Sequence, residues 1–209
     1  MIARVKYSKG EEVKYVGHLD SMRTFVRCIK RTCIPIKYSN GFNPRVQISF
    51  ALPLGVGVTS DSEYFDLEIE KKMNDTLLIG ELNSVLPTGF RAQKVTFVEN
   101  KKSLMSLVKE AVYEIKLEGN LDFKKVKELF EKDEIMLEKE SKSKKGNQEI
   151  NLKNYIIDID FDENESKIIV HSTAGSVNNM TPQFVIQAIE KYVGKIEDYE
   201  IHRKELILN

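Results

Sequence analysis

The chain has 209 residues, 41% hydrophobic and 31% charged, with 32 Lys/Arg balanced by 32 Asp/Glu. That is room for one large domain or two of about 100 residues. No apolar run approaches the roughly 18 residues of a membrane helix. Met1-Ile2-Ala3-Arg4-Val5-Lys6 lacks the apolar core of a signal peptide, so the expected location is the cytoplasm, with no membrane partner.

In the first half, Ala3, Val5 and Tyr7 alternate with Arg4 and Lys6, the period of a half-buried strand. Lys9-Gly10-Glu11-Glu12 reads as a turn, and residues 13–16 as a short returning strand. A helix is predicted over 18–33, with Leu19, Met22, Val26, Ile29 and Cys33 as its apolar stripe. Residues 36–38 and 46–50 read as extended, joined through Asn40-Gly41, a dipeptide that tolerates positive φ. Over 63–70, Phe65, Leu67 and Ile69 alternate with Tyr64, Asp66 and Glu68 as a further strand. Asn74 or Asp75 caps a helix carrying Leu78, Leu82, Val85 and Leu86. Pro87 and Gly89 end it, and residues 91–98 form a strand.

The second half repeats this order. Tyr113, Ile115 and Leu117 mark a strand, and Phe123, Val126, Leu129 and Phe130 one side of a helix. Residues 135–140 read as extended. Ile157, Ile159 and Phe161 then alternate with Asp158, Asp160 and Asp162, and residues 167–172 pair back. Thr181-Pro182 starts a helix whose buried face is Phe184, Val185, Ala188, Ile189 and Tyr192, and residues 199–208 close the pattern as a strand. The expected architecture is α+β: two successive ferredoxin-like β-α-β-β-α-β units with antiparallel sheets. A basic unit is expected over 1–100 and a second unit over 104–209. A mobile Lys-rich loop is expected near 139–150.

Charge separates the two ends of the chain. Residues 1–50 hold ten Lys/Arg against three Asp/Glu, a net of +7, and the rest carries −7. Such asymmetry points to an anionic partner. At 100° per residue, Arg23, Arg27, Lys30 and Arg31 fall within an arc of about 100° on the predicted helix. Arg45, and also Lys37, Arg4 and Lys6, are expected on the same side. In the Gly41-Phe42-Asn43-Pro44 loop, Phe42 and Asn43 are candidates to position a base or another planar group. His18 and Asp20 are the weak catalytic candidates, as base and orienter. Cys28 and Cys33, five apart on a helix, are expected to pack rather than form a disulfide. Two thiols are too few for a zinc ribbon or an iron–sulfur cluster. No metal site and no cofactor are therefore expected in this chain.

The string Gly17-His18-Leu19-Asp20-x-x-Arg23, then Ile34-Pro35, Tyr38-Ser39-x-Gly41-Phe42-Asn43-Pro44 and Pro53-Leu54, carries a resemblance. It resembles the radical-SAM-linked domain family of unknown function, found in bacteria alone beside a radical SAM protein or fused to one. The resemblance implies partnership with a separate radical SAM protein, which would hold the cluster this chain cannot. The expectation is an accessory substrate-binding protein with no autonomous activity. Its substrate would be RNA (tRNA or rRNA), held by Arg23, Arg27, Lys30, Arg31 and Arg45 with Phe42 and Asn43. The alternatives are an RNA-modifying or RNA-cleaving enzyme in its own right, and a protein–protein scaffold.

Overall fold

The computed structural model describes residues 1–99, 102–119, 121–139, 148–175 and 178–209. In chain order the elements are β1 (Ile2–Lys9), α1 (His18–Ile29), β2 (Ile48–Phe50), β3 (Val58–Glu68), α2 (Asp75–Val85), β4 (Phe90–Val98) and α3 (Leu104–Leu107). They continue with β5 (Val108–Glu118), α4 (Phe123–Phe130), β6 (Met136–Lys139), β7 (Gln148–Asn151), β8 (Ile156–Asp162), β9 (Lys167–Thr173), α5 (Gln183–Tyr192) and β10 (Asp198–Leu208). The chain is mixed α+β and divides into two compact units, Met1–Lys109 with Arg203–Asn209, and Glu110–His202. The first unit is thus discontinuous, since the end of β10 belongs to it. Residues 140–147 of the expected mobile loop lie outside the described residues.

In the first unit β1 is central. It runs antiparallel to β3, Val5 facing Phe65, and to β4, Val5 facing Val95. β2 adds to β3, Phe50 facing Phe65. Alternation puts Ala3, Val5, Tyr7 and Lys9 on the buried face and Arg4 and Lys6 on the other. α1 and α2 cover the buried face: Phe25, Ile29, Leu78 and Leu82 share one core with Val5, Phe65 and Leu67, all at 0% exposure. Asn74 caps α2 by accepting from the Leu77 amide at 3.2 Å, an interaction of about 1 kcal/mol.

Several expectations about this unit are corrected. The short strand expected over 13–16 is not formed: residues 11–13 make a 3-10 turn that buries Val13, and 14–16 continue as turn and bend. α1 stops at Ile29, where the Thr32 hydroxyl donates to the Ile29 carbonyl at 2.7 Å. Cys33 therefore lies off the helix and is exposed, while Cys28 is buried and donates to the Val85 carbonyl. The buried stripe of α1 is Ser21, Phe25, Cys28 and Ile29, and Leu19 is 65% exposed. Phe25, the bulkiest apolar side chain of the helix, sets the phase. Four rings, Tyr7, Phe50, Phe65 and Phe90, surround it at centroid distances of 4.8, 5.6, 5.3 and 5.1 Å.

The second unit has the strand order β10-β5-β9-β8, with Ile115 facing Ile168 and Val170 facing Ile159. Asp122 caps α4. α5 buries Phe184, Val185, Ile186, Ala188 and Ile189, while Tyr192 stays 43% exposed and donates to the Met136 carbonyl at 2.8 Å. β6 and β7 form a separate two-stranded ladder, Leu137 facing Ile150, inserted between α4 and β8. The unit is therefore not a plain β-α-β-β-α-β repeat. Pairing in the chain is mainly antiparallel and in part parallel, which corrects the expectation of purely antiparallel sheets. Within the first unit, the end of β10 from Arg203 lies beside β3.

Candidate functional site

Two groups of functional side chains stand out in the first unit. The first is the outward face of α1. Helical geometry puts Arg23 and Arg27 opposite the buried Phe25 stripe, Lys30 is the C-cap and Arg31 follows just past it, and all four are exposed. Mutual repulsion at these spacings costs roughly 0.2–0.5 kcal/mol per pair. Each cation at the helix C-terminus regains about 0.3–1 kcal/mol from the backbone dipoles, so the cluster is tolerated. Arg23 is bound to Asp20 at 2.9 Å, an exposed i,i+3 pair. Among the described residues, Arg27, Lys30 and Arg31 have no carboxylate partner. Asp20 accepts from Arg23 and makes no bond to His18 among the described residues, so its place as an orienter is not formed here.

Phe42, Asn43 and Arg45 lie on a clamped hairpin. The Ser39 amide donates to the Arg45 carbonyl at 2.8 Å, and the Arg45 amide donates to the Ser39 hydroxyl at 2.9 Å. Tyr38 bridges Val46 below them. Gly41, at φ 120°, makes the reversal that an L side chain resists. Phe42 at the tip is fully exposed, and Asn43 and Arg45 are exposed beside it. No hydrogen bond, ion pair or ring contact among the described residues joins this tip to the α1 cations. The helix thus carries two of the expected ligands and the turn at its C-terminus two more, and the hairpin carries three. Other basic residues are diverted. Arg4 projects from the opposite face of the sheet and is held by Asp66 in a bidentate pair at 2.8 and 2.9 Å. Lys37 is bound to Glu68 at 3.0 Å.

The second group is buried under the N-terminus of α1. β1 ends in Lys9, 4% exposed, whose Nζ donates to the Lys14 carbonyl at 3.2 Å and the Val16 carbonyl at 2.9 Å. Glu63 on β3, also 4% exposed, is bound by Arg203 at 2.7 Å. Arg203 also donates to the Leu52 carbonyl at 3.3 Å. Ser21 on α1 is 7% exposed, and its Oγ has no hydrogen-bond partner among the described residues. His18 stands edge-on to Phe50, ring centroids 5.9 Å apart. Lys9, His18, Ser21 and Glu63 line one cavity of ≈ 20 Å³, walled by Phe50 and Phe90. That is room for a water-sized group.

Burial sets the protonation of this group. Desolvation holds the His18 imidazole below its ordinary range; Lys9 pushes the same way and Glu63 opposes. The Lys9 ammonium is lowered by burial against the pull of Glu63. The Tyr7 phenol is raised, first by burial and then by Glu63. A histidine lowered in the folded state binds fewer protons there than when unfolded. Its neutral form therefore favours folding above about pH 6.5, and that contribution fades as pH falls through the folded value. In an NMR titration His18 is expected to show a midpoint below about 6.5, and a midpoint at or above it would mean that Glu63 outweighs burial.

Of this second group, the sequence reading reached only His18. Strand parity carried the signal for the others. Lys9 continues the Ala3-Val5-Tyr7 series, and Glu63 shares the parity of Phe65 and Leu67. Arg203 shares that of Ile201.

Fold and site together define an α+β protein whose N-terminal unit sets an exposed cationic helix over a buried polar cavity. Over residues 3–182 the chain matches the family described as uncharacterized protein conserved in bacteria (DUF2344), and it belongs to that family. The match includes α1, the hairpin, Lys9 and Glu63, and ends before Arg203. No match was found among curated proteins.

Proposed function

We propose that the protein is an accessory substrate-binding protein that holds RNA, tRNA or rRNA, for a separate radical SAM enzyme. The observation that carries this reading is the outward face of α1. There Arg27, Lys30 and Arg31 stand exposed without a carboxylate partner among the described residues, although the same unit pairs Arg4, Arg23 and Lys37. Unneutralised cations spaced along one helix face suit a phosphate backbone. Phe42 and Asn43, raised on the hairpin tip, suit an unstacked base. The order β4-β1-β3, with β2 also on β3, supports reading the first unit as ferredoxin-like. The radical SAM partner rests on the sequence resemblance. Two cysteines leave the cluster chemistry to another chain.

Binding to tRNA should weaken steeply with salt. Log–log plots should lose about 0.7 of slope for each single-strand phosphate contact removed. Arg27→Glu with Arg31→Glu should therefore flatten the plot by about 1.4 and lower affinity at every sequence tested. Salt-independent binding, or a double variant that binds like wild type, removes the proposal. Co-purification of the radical SAM protein that persists after nuclease treatment tests the partnership.

A second reading, an enzyme acting on RNA by itself, is favoured by the placement of His18, with burial favouring its neutral form, beside Lys9 and Ser21. Turnover of RNA by the purified chain, lost in His18→Ala, would establish it.

A further inference from the structure

We infer that the cavity beneath the N-terminus of α1 is a binding site for one oxygen of a compact oxyanion, a phosphoryl or carboxylate group. The inference is independent of whether the outer face of α1 binds RNA.

The cavity presents donors with little to receive them. Ser21 is more than nine-tenths buried, lines the cavity, and its hydroxyl is unpartnered among the described residues. Lys9 Nζ has three protons and donates two to main-chain carbonyls, leaving one. Lys9 has no carboxylate within ion-pairing distance among the described residues. The neutral His18 imidazole has one N–H to give. Of the cavity's wall, the Glu63 carboxylate accepts from Arg203 through Oε1.

Charge makes the same case. Lys9, 4% exposed, brings a positive charge into the interior; Glu63 pulls on it without pairing with it among the described residues. A net buried charge is unfavourable by several kcal/mol unless an opposite charge joins it. The first turn of α1 adds unsatisfied amides. Its cap, Gly17, offers no side chain, and the first amide bonded back to it is that of Ser21, at 2.9 Å. Those of His18, Leu19 and Asp20 precede the first intrahelical bond, and the positive end of the helix dipole lies there. A cavity of ≈ 20 Å³ admits a single oxygen atom of the ligand. The remainder of the ligand would rest at the mouth beside the half-buried His18.

Inorganic phosphate and acetate, tested separately on the full chain by calorimetry and NMR, decide the matter. At least one should bind saturably and shift the resonances of Lys9, His18 and Ser21. Phosphate alone would assign a phosphoryl ligand, and acetate alone a carboxylate. Ser21→Ala should weaken binding about tenfold, the effect of one hydrogen bond to a charged group. Arg27→Glu with Arg31→Glu, which abolishes the outer face, should leave it unchanged. If neither anion saturates, or if the shifts map to Arg27 and Arg31, the inference is overturned. The shifts are read on the unaltered chain, so the test stands even if Ser21→Ala misfolds.

Discussion

Glu63→Ala is expected to destabilise the first unit by about 3–5 kcal/mol, because it removes the carboxylate that binds a buried guanidinium at 2.7 Å. Side-chain exposures of 3% for Arg203 and 5% for Glu63 keep water from replacing the lost carboxylate. The Leu52 carbonyl at 3.3 Å and the Pro53 carbonyl at 3.5 Å also accept from the guanidinium, as neutral groups. The reverse change, Arg203→Ala, strands the Glu63 carboxylate and should cost a similar amount. Replacing both partners by apolar residues, Glu63→Leu with Arg203→Met, should recover much of the loss, since desolvation is then no longer imposed on either charge. Urea unfolding of the three variants measures this. A Glu63→Ala chain within about 1 kcal/mol of wild type would mean that the pair is hydrated rather than sealed.

Phe25→Ala is the second large effect, expected at about 3–5 kcal/mol. The ring is fully buried at the centre of the aromatic cluster, and truncation opens a cavity that four neighbouring rings must collapse into. The edge-on pairs add roughly 0.5–1.5 kcal/mol each beyond area burial. Native-state hydrogen exchange at β1 amides is the readout. Protection should fall at Val5 and Tyr7, which share the core with Phe25. Leu19→Ala, by contrast, should leave protection unchanged, since Leu19 is 65% exposed.

That contrast shows where sequence reading succeeded and where it slipped. The period-two pattern of Ala3, Val5 and Tyr7 was decisive because residue types and geometry agreed, and Asn74 was legible as a cap for the same reason. On α1 the pattern was ambiguous. Apolar residues span about half its circumference, and Leu19 and Met22 compete there with Phe25 and the polar Ser21. Helix phase was set by the partner surface, the rings of β1 and β3, which no local window contains. The exposure of Arg23 and Arg27 followed from angular spacing, whereas Lys30 and Arg31 fall at and past the end of α1. The buried cavity was not legible. Its members come from β1, α1 and β3, and their types, Lys and Glu, are those that composition assigns to solvent. Arg203 lay furthest from inference: its partner is 140 positions away. The separate β6–β7 ladder was hidden for a related reason, as short strands carry too few residues to reveal their pairing.

The discontinuity of the first unit bears on how the polypeptide is made. Glu63 leaves the ribosome long before the residue that neutralises it. At about 5–20 residues per second, the 140 intervening positions correspond to a delay of roughly 7–28 s. During translation the N-terminal half must wait with an uncompensated carboxylate facing its would-be interior. Its consolidation is therefore coupled to arrival of the final strand, and a nascent chain stalled before Arg203 is expected to remain open to proteases even though β1 to β4 are already synthesised.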